Sequence, residues 1–279
     1  MCKITLKKAL NNEVVKLSVY APLIAKKAKA GQFIILRPFS HSERIPLTIA
    51  KADTQSGEIT VIFQKVGKTT MELDTLNVGD SINDFVGPLG NPTKLDGIKK
   101  AAVIGGGLGC AIALPIAEGL YKAGAEVHMI AGFRNKDIVI LEDEMKNSSN
   151  ELFVCTDDGS YGTKGFVTDK LKELIEAGEE YDCVFAIGPL PMMKFVSMLT
   201  KEFGIKTIVS MNPIMIDGTG MCGGCRVTVG KEIKFACVDG PDFDGHLVDF
   251  DETIARNNAY KQIEKDKRHS CRMEGFNRA

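Results

Sequence analysis

From Met1 to about Pro92, apolar and polar residues alternate in short runs: VVKLSVYAP, GQFIILRP, RIPLTIAKA, GEITVIFQKVG and GDSINDFVGPLG. The runs are rich in β-branched residues and bounded by Gly, Pro, Asn or Asp, which predicts antiparallel strands of a barrel or sandwich. From about Lys99 the rhythm changes. KAAVIGG, AEVHMIAGF, ELFVCTDDG, YDCVFAIGP and KTIVSMN are apolar runs of strand length. Between them, IALPIAEGLYKAGA, GTKGFVTDKLKELIEAG and PMMKFVSMLTKEFG carry helical spacing. Strand and helix in alternation predict a parallel, doubly wound sheet. After Met211 a Gly- and Cys-rich stretch precedes a polar tail of helical character, DETIARNNAYKQIEKDKRH.

Length and composition fit that reading. At ~150 residues per domain, 279 residues leave room for two domains and a small appendage. With 44% hydrophobic and 25% charged residues, wholesale disorder is excluded. A net charge of -1 argues against a chain held on nucleic acid by phosphate contacts. The longest uncharged run, Ala101–Ala117, holds three consecutive glycines and Pro115, so a strand, a tight turn and a helix explain it better than a membrane span. The start, MCKITLKKALNNEVV, has no apolar region of signal-peptide length, and the expectation is a cytoplasmic protein with no membrane segment. In that compartment eight cysteines do not form a disulfide framework. Cys2, Cys110, Cys155, Cys183 and Cys271 are scattered, whereas Cys222, Cys225 and Cys237 are clustered.

Six places carry candidate chemistry. Gly105-Gly106-Gly107-Leu108-Gly109 joins an expected strand to an expected helix, where glycines let backbone approach a pyrophosphate; tight packing also selects glycine there. Gly188-Pro189, followed by Met192 and Met193, ends a later parallel strand, the end at which ligands of open α/β sheets sit. Asp157, in Thr156-Asp157-Asp158-Gly159-Ser160, could accept from a ribose hydroxyl and select against a 2′-phosphate, or the run is a plain turn. In the β-rich half, Arg44 and Thr48 of Arg44-Ile45-Pro46-Leu47-Thr48 fall on the same side of an extended segment, fit for a phosphate and a flat ring, or for an ordinary exposed face. Gly67-Lys68-Thr69-Thr70 opens an expected helix and offers N–H groups and hydroxyls to a second phosphate, or is a simple N-cap.

The sharpest signal is Asp217-Gly-Thr-Gly-Met-Cys222-Gly-Gly-Cys225, with Cys237 eleven intervening residues on. C-x2-C in a Gly-rich loop brings two thiolates to one metal site, and the third arrives from the next hairpin. Zinc and iron–sulfur both accept three thiolates. Asp217 lies four intervening residues before Cys222, where plant-type loops (C-x4-C-x2-C) place their first cysteine. His246, Asp239 and Cys271 are alternative fourth ligands.

These pieces, in this order, resemble the ferredoxin-reductase-type flavoproteins. Within them, the chain is similar to the electron-transfer subunits of dihydroorotate dehydrogenase and, more closely, to the small subunits of NADH-dependent ferredoxin:NADP oxidoreductases. The likeness runs from Gly31-Gln32-Phe33 to VDFDE. It implies an FAD-binding β-barrel in residues 1–97, a Rossmann-like NAD-binding α/β domain in 98–210, and a [2Fe–2S] segment with a C-terminal helix in 211–279. By the same likeness, Arg44, Pro46, Leu47, Thr48 and Ile49 hold the flavin and its phosphate, and Gly67, Thr69 and Thr70 the pyrophosphate. Gly105, Gly106, Gly107, Gly109, Arg134, Asp157, Asp158, Gly159, Gly188, Pro189 and Met192 line the NAD(H) site. Asp217, Cys222, Cys225 and Cys237 hold the cluster, whereas the orotate relatives use four cysteines. Arg44→Ala is therefore expected to lose FAD and keep iron. Two positions depart from the family pattern: Pro46 replaces the usual flavin-motif Tyr, and Ile112 replaces the first Pro of G-G-G-x-G-x-A-P.

A hydride carries two electrons and an iron–sulfur cluster takes one; flavin exchanges either, so the three parts together imply a two-to-one-electron converter. No acid or base candidate emerges, and hydride transfer to flavin does not need one. The resemblance adds a larger flavoprotein partner with its own FAD and [4Fe–4S] clusters, and through it NADP(H) and ferredoxin. An electron-transfer subunit of dihydroorotate dehydrogenase, a stand-alone reductase serving an oxygenase and a zinc-stabilised binding module with no redox role are the competing expectations.

Overall fold

The computed structural model describes residues 2–259. Cys271, and the part of the tail read above as helical beyond Ala259, lie outside the described residues. The first half holds β1 (Cys2–Ala9), β2 (Val14–Tyr20), α1 (Pro22–Ala25), β3 (Phe33–Arg37), β4 (Ile45–Asp53), β5 (Glu58–Gln64), α2 (Lys68–Thr75), β6 (Ser81–Ile82) and β7 (Asp84–Leu89). The strands form one antiparallel sheet in the order β6-β1-β2-β5-β4-β3-β7. Its two end strands are separated in the chain by Asn83 alone, so the sheet is rolled nearly shut into a barrel. Leu17, Ile34, Leu36, Ile59, Val61 and Phe63 fill its interior.

The second half alternates as its pattern predicts: β8 (Lys100–Gly106), α3 (Gly109–Lys122), β9 (Glu126–Phe133), α4 (Glu142–Asn147), β10 (Glu151–Thr156), β11 (Thr163–Lys164), α5 (Val167–Glu176), β12 (Cys183–Ile187), α6 (Leu190–Glu202) and β13 (Thr207–Ser210). β8 and β12 are buried along nearly their whole length, which is why they read as unbroken apolar runs. α6 buries Leu190, Met193, Val196, Ser197 and Thr200, one stripe at helical spacing. No helix among the described residues is long and apolar enough to cross a membrane.

The last part comprises a hairpin, β14 (Arg226–Val229) with β15 (Glu232–Phe235), then β16 (Asp242–Asp244) and α7 (Phe250–Asn258). β16 does not stay with the hairpin. It pairs antiparallel with β13 and completes the α/β sheet, ordered β11-β10-β9-β8-β12-β13-β16. One core cluster joins all three parts, with Phe33 and Ile35 of the barrel, Val209 of the sheet, and Cys225 and Cys237 of the hairpin region.

Asp242 sits at that seam. Its Oδ2 accepts from Thr93 Oγ1 at 2.5 Å, while its Oδ1 is shut from solvent with no hydrogen-bond partner among the described residues. Burial raises its pKa above the ordinary carboxylate value. A carboxyl with a higher pKa folded than unfolded favours folding at low pH, and that contribution is lost as pH rises through the folded value. Asp242→Asn should therefore flatten the fall in melting temperature as pH rises above about 4, the ordinary carboxylate value. Parallel profiles for the variant and the parent would show that no buried charge forms there.

Candidate functional site

Strand β4 is paired unevenly. Ile45–Thr48 pair with β3, but pairing with β5 starts only at Ile49, after which a bulge shifts the register. Arg44 through Thr48 are all half-buried, forming a shelf beside an unpaired strand edge. Pro46, which has no N–H to give a ladder, lies in this singly paired stretch. Arg44 does not lie along the shelf. Its Nε donates to the Ile216 carbonyl at 2.9 Å, and its Nη1 is 3.8 Å from Asp84 Oδ2.

The two threonines at the start of α2 behave differently. Thr70 Oγ1 accepts from Val66 N and Gly67 N and donates to Gly67 O at 2.9 Å, so its hydroxyl closes the helix entry. For Thr70 the simple cap is the observed role. Thr69 Oγ1 is buried and has no partner among the described residues. A buried hydroxyl without a partner is costly, and a phosphate oxygen at a helix N-terminus would satisfy it. This orphaned atom fits a flavin pyrophosphate.

In the α/β sheet the strand order reverses between β8 and β12, and the loops leaving their carboxyl ends meet there. A Cβ on Gly106 would lie 2.5 Å from Met192 Sδ and 3.0 Å from Pro189 Cδ, and one on Gly109 would lie 2.2 Å from the Ile187 carbonyl oxygen. A Cβ on Gly105 would strike Cys110. Packing against backbone thus demands glycine at Gly105 and Gly109, and the crowding at Gly106 comes from the Met192 and Pro189 side chains. Gly107 differs, with φ at +55° and open space where a Cβ would stand, so its backbone conformation and not packing asks for glycine. Met193 is fully buried in the core, while Met192 caps the crevice against Gly106. α3 also packs on β4, which sets the crevice beside the barrel shelf.

Farther along the same sheet end, β9 and β10 finish side by side. Asp157 N donates to Phe133 O at 3.0 Å and Asp158 N to Arg134 O at 3.3 Å. Arg134, Asp157, Asp158 and Gly159 are all exposed. Asp158 Oδ1 is spent on its own turn, accepting from Ser160 N and Oγ, which lowers its pKa. Asp157 is the carboxylate left facing outward at that strand end.

The cluster loop gathers its donors in two pairs. Asp217 Oδ1 accepts from Thr219 N at 2.7 Å and from the Thr219 hydroxyl, and its Oδ2 accepts from Cys222 N at 2.8 Å. These bonds, with the Cys222 thiol, hold the Asp217 carboxyl well below the usual carboxylate range. Cys225 Sγ and Cys237 Sγ, both buried, lie 3.2 Å apart; burial and the neighbouring Cys225 push the Cys237 thiol up to about 12. A thiol held protonated in this way ionises as metal binds. No three of the four ligand atoms come within 4.8 Å of one another. The loop lies on the barrel, because Gly218, at φ +81°, brings its backbone so close to Leu89 that a Cβ would fall 2.7 Å from Cδ1.

Of the alternative ligands, His246 and Asp239 each have a hydrogen-bond partner of their own, and Cys271 lies outside the described residues. His246 Nε2 is 3.1 Å from Thr200 Oγ1, and Asp239 Oδ2 accepts from Phe235 N at 2.6 Å. Sequence reasoning missed the Ile216 carbonyl and Asp84 as partners of Arg44, and neither had a motif to announce it. Thr219 could have been found, since Asp-Gly-Thr is an Asx-turn sequence. One further group of potential metal ligands, Glu126, His128 and Glu179, has Lys100 between its two carboxylates; the Lys100 Nζ–Glu126 Oε1 distance is 2.7 Å.

Residues 212–249 match the family model described as the iron–sulfur cluster binding domain of dihydroorotate dehydrogenase B. A Thermotoga maritima protein, the dihydroorotate dehydrogenase B (NAD(+)) electron transfer subunit homolog, is 45% identical over 263 residues, which are 94% of this chain and 93% of its own length. The dihydroorotate dehydrogenase B (NAD(+)) electron transfer subunit of Geobacillus sp. (strain WCH70) is 32% identical over 245 residues, 85% of this chain and 93% of its own. A solved chain of NADH-dependent reduced ferredoxin-NADP oxidoreductase, from work on flavin-based electron bifurcation, aligns with a TM-score of 0.92 and 41% identity over 97% of each chain.

Proposed function

This chain belongs to the family of dihydroorotate dehydrogenase B electron transfer subunits, which are parts of oxidoreductases, and from that premise we propose that it carries FAD and a [2Fe–2S] cluster. It would exchange hydride with NAD(H) and single electrons with a larger partner flavoprotein bearing FAD and [4Fe–4S] clusters. The assembly would be an NADH-dependent ferredoxin:NADP oxidoreductase that couples NADPH oxidation to reduction of NAD and ferredoxin by electron bifurcation.

The observation that carries this reading is the pairing of donors, Asp217 with Cys222 and Cys225 with Cys237. A [2Fe–2S] cluster asks for two protein ligands on each iron, and two separated pairs suit that requirement. A single tetrahedral zinc draws its four donors round one centre. Asp217 in the seat of a first cysteine, together with the likeness to the ferredoxin-NADP oxidoreductase chain, favours that assembly over dihydroorotate oxidation.

When bound, the flavin supplies exchange of either one or two electrons. The chain's own residues do the rest. Thr69 gives a buried hydroxyl to a phosphate, the β4 shelf receives a flat ring along its open edge, and Gly107 bares backbone to the nucleotide. Met192 caps the crevice against Gly106 and Gly188, with the buried Leu190 and Met193 on the same helix. Asp157 faces the ribose end and Arg134 stands beside it. No side chain has to move a proton.

The purified chain should be brown, with broad visible absorbance and about two iron and two sulfide per FAD. A colourless, zinc-containing protein would overturn the reading. Co-purification from the native host should bring down a larger flavoprotein with it.

A further inference from the structure

Arg44 stands on the flavin shelf by its place in the chain, yet its side chain reaches out of the barrel. Nε donates to the carbonyl of Ile216, a residue 172 positions away. Ile216 immediately precedes Asp217, and the Asp217 carboxylate gathers the amides of Thr219 and Cys222. Nη1 lies 3.8 Å from Asp84 Oδ2 on β7, an oxygen that Arg37 Nε approaches at 2.7 Å, so the firm bond of the guanidinium is the one to Ile216. The neighbouring contact of this loop with the barrel, Gly218 against Ile35 and Leu89, is apolar and gives no direction to the carbonyl ahead of Asp217. A guanidinium has five N–H donors in a rigid fork, so Nε can serve Ile216 while the terminal nitrogens remain for a phosphate.

We propose that Arg44 is a positioning residue for the iron site, tying the cluster loop to the flavin strand so that flavin occupancy and order at the iron site strengthen each other. The identities of the two groups rest on the function proposed above; the tether itself rests on the Arg44–Ile216 bond. A ligand that fixes the guanidinium removes part of the cost of ordering the loop, and by linkage the ordered loop favours that ligand equally. The expectation that Arg44→Ala spares the iron is thereby replaced: both cofactors should loosen.

The test uses the full chain as wild type, Arg44→Ala and Arg44→Lys, each refilled with saturating FAD. Lysine keeps the charge for a phosphate but has no donor at the Nε position. Arg44→Lys should regain wild-type flavin content yet lose iron to a chelator on the order of fivefold faster, with shifted EPR g-values of the reduced cluster. A purely structural role would lower the melting temperature and leave the g-values unmoved. Wild-type iron release and EPR in both refilled variants would overturn the proposal.

Amide exchange at Thr219 and Cys222 in the cofactor-free chain separates this idea from the functional reading. If wild type carries neither FAD nor iron, the functional reading fails. Faster exchange in Arg44→Ala than in wild type still supports the tether, and equal exchange overturns it.

Discussion

Asp217→Ala should strip iron and sulfide from the chain, Asp217→Asn should do nearly the same, and Asp217→Cys should keep a [2Fe–2S] cluster with altered EPR g-values. The carboxylate has two tasks that these substitutions separate. It caps its own turn by accepting from Thr219 N and Cys222 N, and it stands as an anionic oxygen beside the Cys222 thiol. Its lowered pKa keeps it ionised at any pH the protein works at. Asparagine retains one oxygen for the Thr219 amide but sets an NH2 against the Cys222 amide and has no charge for iron, so it disturbs both tasks, whereas cysteine gives up the turn and keeps an anionic donor. Loss of a ligand should speed iron release at least tenfold, since even groups behind the ligands change metal affinity by roughly 10–100-fold. Oxygen is a harder donor than thiolate, so the cysteine variant should move the spectrum as well. If Asp217→Ala keeps its iron, its sulfide and an unchanged EPR signal, Asp217 is a turn residue and the fourth ligand lies elsewhere.

NADH should reduce the isolated flavoprotein at least tenfold faster than NADPH. Asp157 is exposed at the end of β10, and Asp158 beside it is committed to Ser160, so one outward carboxylate remains where the proposed ribose would lie. A 2′-phosphate brought there meets like charge and loses the hydroxyl's hydrogen bond, a penalty of about 1–3 kcal/mol. Asp157→Asn should narrow the difference, because the like charge is removed while Arg134 still stands at the neighbouring strand end. Stopped-flow reduction with each nucleotide measures both effects. Equal rates with the wild-type chain, or a preference for NADPH, would remove the NAD(H) site from this subunit.

What the chain discloses before folding depends on the range of the interaction. Strand type, helix spacing and the Gly-rich turn after β8 are local, and each stands in the sequence where the structure has it. The donor spacing Asp217, Cys222, Cys225 was equally legible, because a single loop carries it. Cys237 was legible only as the next cysteine along. The path of β16 was not, since Pro-Asp-Phe-Asp has no apolar run and takes its strand form from pairing with β13. The sequence also overstated some glycines. Three of the four in the Gly105–Gly109 turn answer to packing, a demand that spacing cannot distinguish from ligand approach. Thr69 and Thr70 are adjacent and chemically identical, and only the fold separates the hydroxyl that caps the helix from the one left without a partner. Arg44 was visible as an arginine on a shelf, while its carbonyl partner across the chain was not.

The seating of β16 along β13 decides what becomes of the nucleotide domain by itself. β13 would otherwise end the sheet with a row of bare N–H and C=O groups, the kind of margin along which sheets from separate molecules join. The iron-bearing segment therefore acts as a selvedge for the neighbouring sheet. A chain shortened to the barrel and the nucleotide domain alone would not be a simpler reductase with its cluster removed. It would have a sticky border exposed to every other copy in solution, so the cluster segment and the nucleotide domain have to be inherited, expressed and engineered as one piece.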